Sequence, residues 1–368
     1  MWVKNIYLNF GRIANMSVNV GILGFAHGHV MGYGGNWAKY PEMGVNVKKG
    51  WDTDAGRAEN GAKALNAQKA EKIEEILDDS DIQAVVISSE TKYHVELVER
   101  AAEAGKKIIL YKPMALTLEG ADRIVAAVEK YDVPMTMGWQ MRTDPQNIKI
   151  KQLIKDKTIG DAYAYRRRHA LSTHLSPDFC KTWHAAPELN RDIFADDASH
   201  PIDMLNWIFG VPETVMAELS TMHTPNVPND TGVALFKYKN GMIAEISAYF
   251  SCSASEITTE VYGAKGAIQQ YYGDGPSTRL PRPAGQPGLK WFVEGESDWT
   301  SSEIPSPKGH GERISGQAQP LADFLQGKRP PICGAREGRD SLRMLLACYV
   351  SSKTGERVSI DDARIYDV

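Results

Sequence analysis

Val18-Asn19-Val20-Gly21-Ile22-Leu23-Gly24-Phe25-Ala26-His27-Gly28-His29 is the stretch on which the fold turns. Its first six residues form a short apolar run of strand type, and the glycines after them stand where a strand would turn into a helix. Glycines at such a turn let backbone amides approach a pyrophosphate, whose charge a helix N-terminus favours. The match to GxGxxG is imperfect, with Ala26 at the second glycine position and His29 at the third. Taken alone it is equally a structural turn. Gly24, Phe25, Ala26, His27 and His29 are the candidate loop residues.

Outward from this stretch, strand and helix patterns alternate. Val45 to Trp51 reads as a strand, Ala55 to Leu65 as a helix, Ala84 to Ser88 as a strand and His94 to Ala104 as a helix. A strand over Lys107 to Tyr111, a helix over Leu118 to Tyr131 and a strand over Pro134 to Gly138 follow. This is the βαβ rhythm of a doubly wound parallel sheet, and it predicts a Rossmann domain over residues 18–140. Asp52 ends the second strand 23 positions beyond His29. That is near the spacing of about 20 for a carboxylate that accepts from the adenosine ribose, and it repels a 2′-phosphate, so NAD is expected with NADP as the alternative. The bland reading of Asp52 is a turn residue ahead of Asp54.

The texture then changes. Lys239-Asn240-Gly241, between Val233 to Tyr238 and Met242 to Phe250, predicts a β-hairpin. Residues 141–368 are therefore expected to form a C-terminal α/β domain on a largely antiparallel or mixed sheet. Gly273 to Arg313, rich in Pro and Gly, reads as a long ordered loop or arm. Residues 1–17 read as an extension or start-site artefact, because Met16 stands just before the first strand.

With 368 residues, 42% hydrophobic and 24% charged, the chain exceeds one typical core and suits two domains. A formal net charge of -4 gives no general attraction to nucleic acid or anionic membrane. No apolar run approaches the roughly 18 residues of a membrane span. Cys180, Cys252, Cys333 and Cys348 form no CxxC pair, which fits a reducing cytoplasm. A small-molecule partner is expected.

Ala84 to Thr117, AVVISSETKYHVELVERAAEAGKKIILYKPMALT, resembles the segment that the glucose-fructose oxidoreductase and inositol dehydrogenase (Gfo/Idh/MocA) family carries from its third strand through a histidine to its Glu-Lys-Pro motif. Lys112-Pro113 matches the Lys-Pro, and His94 matches the histidine that lies near the nicotinamide. Arg142 with Pro145 resembles the Arg-x-x-Pro at the domain junction, and Asp196, His200 and Asp203 fit D-x-x-x-H-x-x-D. The resemblance runs from Val18 to Ile360. It implies a Rossmann domain plus an open-faced sheet domain, a cis Lys112-Pro113 bond, a sugar-like substrate, and a homodimer or homotetramer formed through the sheet. Cofactor contacts are implied for Ser89, His94, Lys112 and Arg142 beside the loop and Asp52.

Tyr111 stands where the family has Glu, and Asn190-Arg191-Asp192-Ile193-Phe194 replaces the glycines ahead of the Asp-His helix, so a bulkier pocket floor is expected. His29 puts close pyrophosphate approach in doubt.

Oxidising an alcohol needs a base, a stabiliser for the developing alkoxide and a nicotinamide close to the reacting carbon. His200 as base and Lys112 as stabiliser fill the first two roles. Asp196, four residues before His200, would share its helix face and orient its ring. Tyr163 to Ala170 alternates as a strand, offering Arg167 and His169 on one face to substrate or to an interface. Trp183 and His184 stand where relatives contact substrate, Trp183 being equally suited to core packing. His27-x-His29 and the group His169, His174, His184 raise the question of zinc, but no helical HxxxH or HExxH pair occurs and no metal is expected. Three functions remain: a dehydrogenase or reductase for a sugar, cyclitol or glycoside, a glycosidase that retains NAD and works by oxidation and elimination, and a non-catalytic sensor of sugar and dinucleotide.

Overall fold

The computed structural model describes residues 17–172, 175–176, 178–223, 227–255, 257–271 and 285–368. Residues 1–16, His174 and residues 273–284 of the Pro/Gly-rich stretch lie outside the described residues.

Six strands, β1 (Val18–Leu23), β2 (Val45–Trp51), β3 (Gln68–Lys69), β4 (Ala84–Ile87), β5 (Lys107–Leu110) and β6 (Met135–Met137), form a sheet in the order β3-β2-β1-β4-β5-β6. All its pairings are parallel. The order is that of a dinucleotide-binding sheet, with its switch point between β1 and β4. The two-residue β3 is too short to leave a pattern in the sequence.

A parallel sheet must be covered on both faces, and successive residues of β4 and β5 supply both. Val85, Ile87, Ile108 and Leu110 pack with Leu97, Ala101, Leu118 and Ile124 of the helices His94–Glu103 and Leu118–Lys130. Ala84, Val86 and Ile109 turn the other way, onto Tyr33 and Trp37 of the helix His29–Lys39 and onto Leu321 and Phe324 of Ala318–Leu325. The chain thus returns to the first sheet near its end. Trp37 fastens that return by donating Nε1–H to the Ala318 carbonyl at 2.9 Å.

A nine-stranded mixed sheet follows, built from β7 (Ala162–Ala170), β8 (Thr214–Ser220), β9 (Thr231–Lys237), β10 (Ile243–Tyr249), β11 (Ile257–Gly263), β12 (Gly266–Tyr271), β13 (Leu289–Val293), β14 (Thr300–Ser301) and β15 (Val358–Ser359). Its order is β14-β13-β12-β11-β7-β10-β9-β8-β15, and only β7 with β10 is parallel. The β9–β10 hairpin turns at Asn240-Gly241 as expected, Gly241 supplying the φ of +91°. The reading of Gly273 to Arg313 as loop or arm is corrected over its described part, which adds β13 and β14 to the sheet and begins the helix His310–Ser315.

Tyr165, Arg167 and His169 of β7 are buried, whereas Arg166 points outward between Glu245 and Glu260. Met216, Leu235, Ile243 and Tyr262 are exposed on the neighbouring strands. Among the described residues, no helix is long and apolar enough to cross a membrane.

Candidate active site

The cleft lies at the C-terminal ends of β1, β4 and β5, where parallel sheets bind ligands. Gly24 makes the turn out of β1 with φ +95°, and a Cβ there would lie 2.5 Å from the Ser89 Cα, so no larger residue passes. Asp52 accepts the Phe25 amide at 2.6 Å, while Arg57 donates to its other oxygen at 2.8 Å and to Glu90 at 2.6 Å. The expected ribose role of Asp52 is corrected to this extent: its side chain is fully covered, with Arg57 lying across it. The local sum of Asp52, Glu90 and Arg57 is one negative charge, which still disfavours a 2′-phosphate.

The helix His29–Lys39 begins without a side-chain cap and without an acidic residue in its first turn, leaving its positive end unneutralised. A Cβ on Gly28 would meet nothing within 4 Å. These features fit a dinucleotide pyrophosphate. The His29 ring lines the cavity, 5.4 Å from the ring of Tyr111. Tyr111 itself is buried in the core, stacked on Tyr33, and its hydroxyl accepts from Gln317 at 2.8 Å.

A cavity of about 320 Å³ opens beside the loop, lined by His27, His29, Lys112, Gln140, His169, His184, Asp196, Asp197, His200, His310 and Arg313 with apolar Met141, Leu171 and Phe179. Lys112, brought in by β5 and a cis Lys112–Pro113 peptide, donates to Asp196 Oδ1 at 2.8 Å and lies 3.6 Å from Asp197. Burial works against the ammonium, but the two carboxylates outweigh it and hold the lysine above its usual range. Asp196, although buried, is held well below the usual carboxylate range by Lys112 and His184.

The expected Asp196–His200 pairing is corrected. Asp196 lies in a π-helical turn, Phe194–Ala198, that precedes the α-helix Ser199–Phe209. Both side chains still line the cavity, but the two oxygens of Asp196 are taken up by Lys112 and His184. Asp196 Oδ2 instead accepts from His184 Nδ1 at 2.7 Å, while His200 Nε2 lies 3.2 Å from the Gln140 side-chain nitrogen.

Other candidates are also relocated. Arg142 does not face the cleft: its guanidinium is taken up by Asp203 through two 2.8 Å bonds, by Glu337 at 2.7 Å and by the Ile332 carbonyl. Arg167 is fully buried beneath the second sheet and donates to Thr259 and Gln270, so it does not line the cavity. Trp183 caps the loop, stacking on His184 and donating to the Ala26 carbonyl at 3.0 Å. Ser89 packs under Gly24. The bulky 190–194 segment lines no cavity wall; Asn190 accepts from Thr91 and Arg191 donates to the Leu116 carbonyl, tying the second sheet's layer to the first. Among the described residues, no three His, Cys, Asp or Glu side chains converge as metal ligands.

His94 is turned away from the cavity and links two backbone segments, its nitrogens lying 2.8 Å from the Pro113 carbonyl and 3.2 Å from that of Ser89. Burial outweighs these carbonyls and pushes the ring down to about 4. An unfolded histidine titrates near 6.5, so the neutral-ring stability, on the order of 3 kcal/mol, is fully present above that pH and is lost as pH falls toward about 4. Burial lowers His27, His29 and His200 in the same direction. The melting temperature is therefore expected to drop steeply between pH 6.5 and 4.5, and less steeply in His94→Asn. A flat wild-type profile over that window would refute this.

Fold and site together define a two-sheet oxidoreductase with an NAD-binding Rossmann unit. The family comparisons agree: the "Oxidoreductase family, NAD-binding Rossmann fold" profile matches residues 18–139, and the "GFO/IDH/MocA C-terminal domain" profile matches residues 147–269. The chain belongs to the GFO/IDH/MocA family. It is 28% identical to myo-inositol 2-dehydrogenase of Thermotoga maritima over 59% of this chain and 65% of that one. It is 25% identical to 1,5-anhydro-D-fructose reductase of Ensifer adhaerens over 78% and 83%. Matches to several curated relatives span about two thirds of their length. A levoglucosan dehydrogenase solved with NADH and levoglucosan superposes with a TM-score of 0.80 at 21% identity, covering 94% of this chain and 100% of that one.

Sequence reasoning missed Gln140, Met141, Leu171, Phe179, Asp197, His310 and Arg313. Asp197, adjacent to a candidate, was within reach of a motif argument. His310 and Arg313 arrive from a distant segment and carried no local signal.

Proposed function

We propose that this chain is an NAD-dependent dehydrogenase or reductase acting on a CH–OH carbon of a sugar, cyclitol or glycoside. The observation that carries the reading is Lys112, held by Asp196 at the mouth of the dinucleotide cleft and facing a cavity with unpaired polar atoms. When bound, the nicotinamide supplies the hydride acceptor or donor. Gly24, Phe25, Ala26, His27 and the start of the His29–Lys39 helix would hold the dinucleotide, with Asp52 fastening the loop.

Lys112 stabilises the alkoxide as it develops, and a cavity histidine takes the proton. Both ring nitrogens of His27, Nδ1 of His29, Nδ1 of His200 and Oε1 of Gln140 are buried and have no partner among the described residues. Such atoms suit the hydroxyls of a polyol. A monosaccharide fits the size, about 300 Å³ being the lower end for small-molecule pockets. Relatives named for inositol and anhydrofructose support the substrate class. The exposed Leu235, Ile243 and Tyr262 of the open sheet support a second copy docking there.

The test is a spectrophotometric screen of purified protein against sugars, polyols and glycosides with NAD and with NADP. Net NADH formation with a sugar or polyol is expected, faster with NAD than with NADP. Aglycone release without net NADH would move the reading to oxidation and elimination, and silence across the panel would overturn it.

A further inference from the structure

We propose that Asp197 reads the hydroxyl next to the one being oxidised, so that the site takes uncharged vicinal diols and turns away sugars bearing a carboxylate or phosphate; the proposal rests on the dehydrogenase reading above. The chain sets two carboxylates side by side in the turn Phe194–Ala198, and their surroundings differ. Both oxygens of Asp196 are engaged, Oδ1 by Lys112 at 2.8 Å and Oδ2 by His184 at 2.7 Å. Asp197 is left with Lys112 Nζ at 3.6 Å, an ion-pair distance beyond hydrogen-bond reach. Among the described residues its carboxylate accepts no hydrogen bond, although it lines the same cavity and its side chain is only 16% exposed. An ionised carboxylate can only accept, and the donor that a polyol brings to it is a hydroxyl.

Position selects the hydroxyl. The oxygen that Lys112 stabilises lies within hydrogen-bond reach of Nζ, and the hydroxyl on the neighbouring carbon stands beside it. A carboxylate 3.6 Å from the same Nζ is placed to accept that second hydroxyl. Charge selects the substrate class. Lys112 is matched by Asp196, and Arg313, also on the cavity wall, is matched by the buried Asp144 at 2.9 Å. Asp197 is the carboxylate left over in this pairing. Burial pushes the rings of His27, His29 and His200 well below the ordinary histidine range, so these three bring no compensating charge at pH 8. A carboxylate or phosphate on the substrate would meet the leftover charge where water screens it weakly, whereas hydroxyls donate to it.

The experiment pairs substrates with variants at pH 8. Once the screen has supplied a polyol and its product has shown which carbon is oxidised, kinetics are measured on three kinds of compound. These are that polyol, the deoxy analogues lacking one or the other neighbouring hydroxyl, and the counterpart carrying a carboxylate. Asp197→Ala should raise KM for the polyol by about 10- to 100-fold, the range of one hydrogen bond to a charged group, with kcat changed by only a few-fold. One deoxy analogue should be equally poor with wild type and with Asp197→Ala, because the contact is already missing. Asp197→Asn keeps the shape and removes the charge, so a wild-type preference for the polyol over its carboxylate counterpart of about tenfold or more should shrink to within threefold. NADH titration and thermal melting of each variant accompany the kinetics, and NADH affinity should stay close to wild type. The proposal falls if Asp197→Ala keeps the wild-type KM, if it weakens both deoxy analogues as much as the polyol, or if the wild type prefers the carboxylate. If the wild type turns over nothing in the panel, the dehydrogenase reading fails instead, and calorimetry on the NADH-loaded protein decides Asp197. There myo-inositol should bind more tightly than D-glucuronate by a margin that Asp197→Asn removes; equal or tighter binding of glucuronate, or binding of neither, overturns the assignment.

Discussion

Lys112→Met is expected to lower kcat by about 10²- to 10³-fold, the loss seen when one donor to a developing oxyanion is removed. Methionine nearly matches the lysine stem in length and volume, so the β5 end and the cavity wall are retained while the ammonium disappears. Lys112 is 2% exposed and its ammonium is bound at 2.8 Å to Asp196, an arrangement that keeps it charged although buried. Its field therefore acts on substrate oxygen with weak screening. NAD affinity should change by only a few-fold if, as proposed, the loop and the uncapped helix hold the dinucleotide. The substitution also strands two carboxylates, so thermal melting of Lys112→Met and Lys112→Arg accompanies the kinetics. If Lys112 and His200 serve one transition state, as proposed, the double mutant Lys112→Met/His200→Ala should lose far less than the product of the single effects. A kcat within threefold of wild type in folded Lys112→Met would remove the lysine from the chemistry.

The first sheet was legible because buried parallel strands read as short apolar runs between punctuating glycines, and β1, β2, β4 and β5 fall where Val18, Val45, Ala84 and Lys107 begin such runs. The second sheet was legible only at its Asn-Gly hairpin, since β13 and β14 sit in a segment whose composition reads as loop. Site residues followed the same division. Lys112 stands at a strand end that the pattern itself locates, but its bond to Asp196 was not read, the carboxylate having been assigned to His200. The partner of His200 could not be read, because Gln140 comes from a different helix, 60 residues earlier in the chain. His184 was named as a substrate residue, but its bond to Asp196 is a contact between two segments that no local pattern announces. His310 reaches the cavity only because the chain returns to the first sheet, a tertiary event with no local pattern.

Arg142→Met is expected to destabilise the protein by about 3–5 kcal/mol, the cost of leaving a buried charge without its partner. Asp203 has a fully buried side chain and accepts two 2.8 Å bonds from Arg142 and one from the Ser341 hydroxyl. The pair joins the short helix Gln140–Thr143 to Ser199–Phe209 and, through Ser341 and Glu337, to Ala335–Thr354. Two of these helices carry cavity residues, Gln140 and His200, so the damage should reach the site before the fold is lost. Urea unfolding should show a lower midpoint in Arg142→Met and in Asp203→Asn, and kcat should fall in both at temperatures where the protein remains folded. The double variant Arg142→Met/Asp203→Leu separates charge pairing from packing: with neither charge buried, it should recover most of the stability lost by either single change. If the double variant is as unstable as the sum of the singles, the two residues act independently. Arg142 would then hold this junction through the Ile332 carbonyl and Glu337, and the carboxylate three residues beyond His200 would have no part in fixing it.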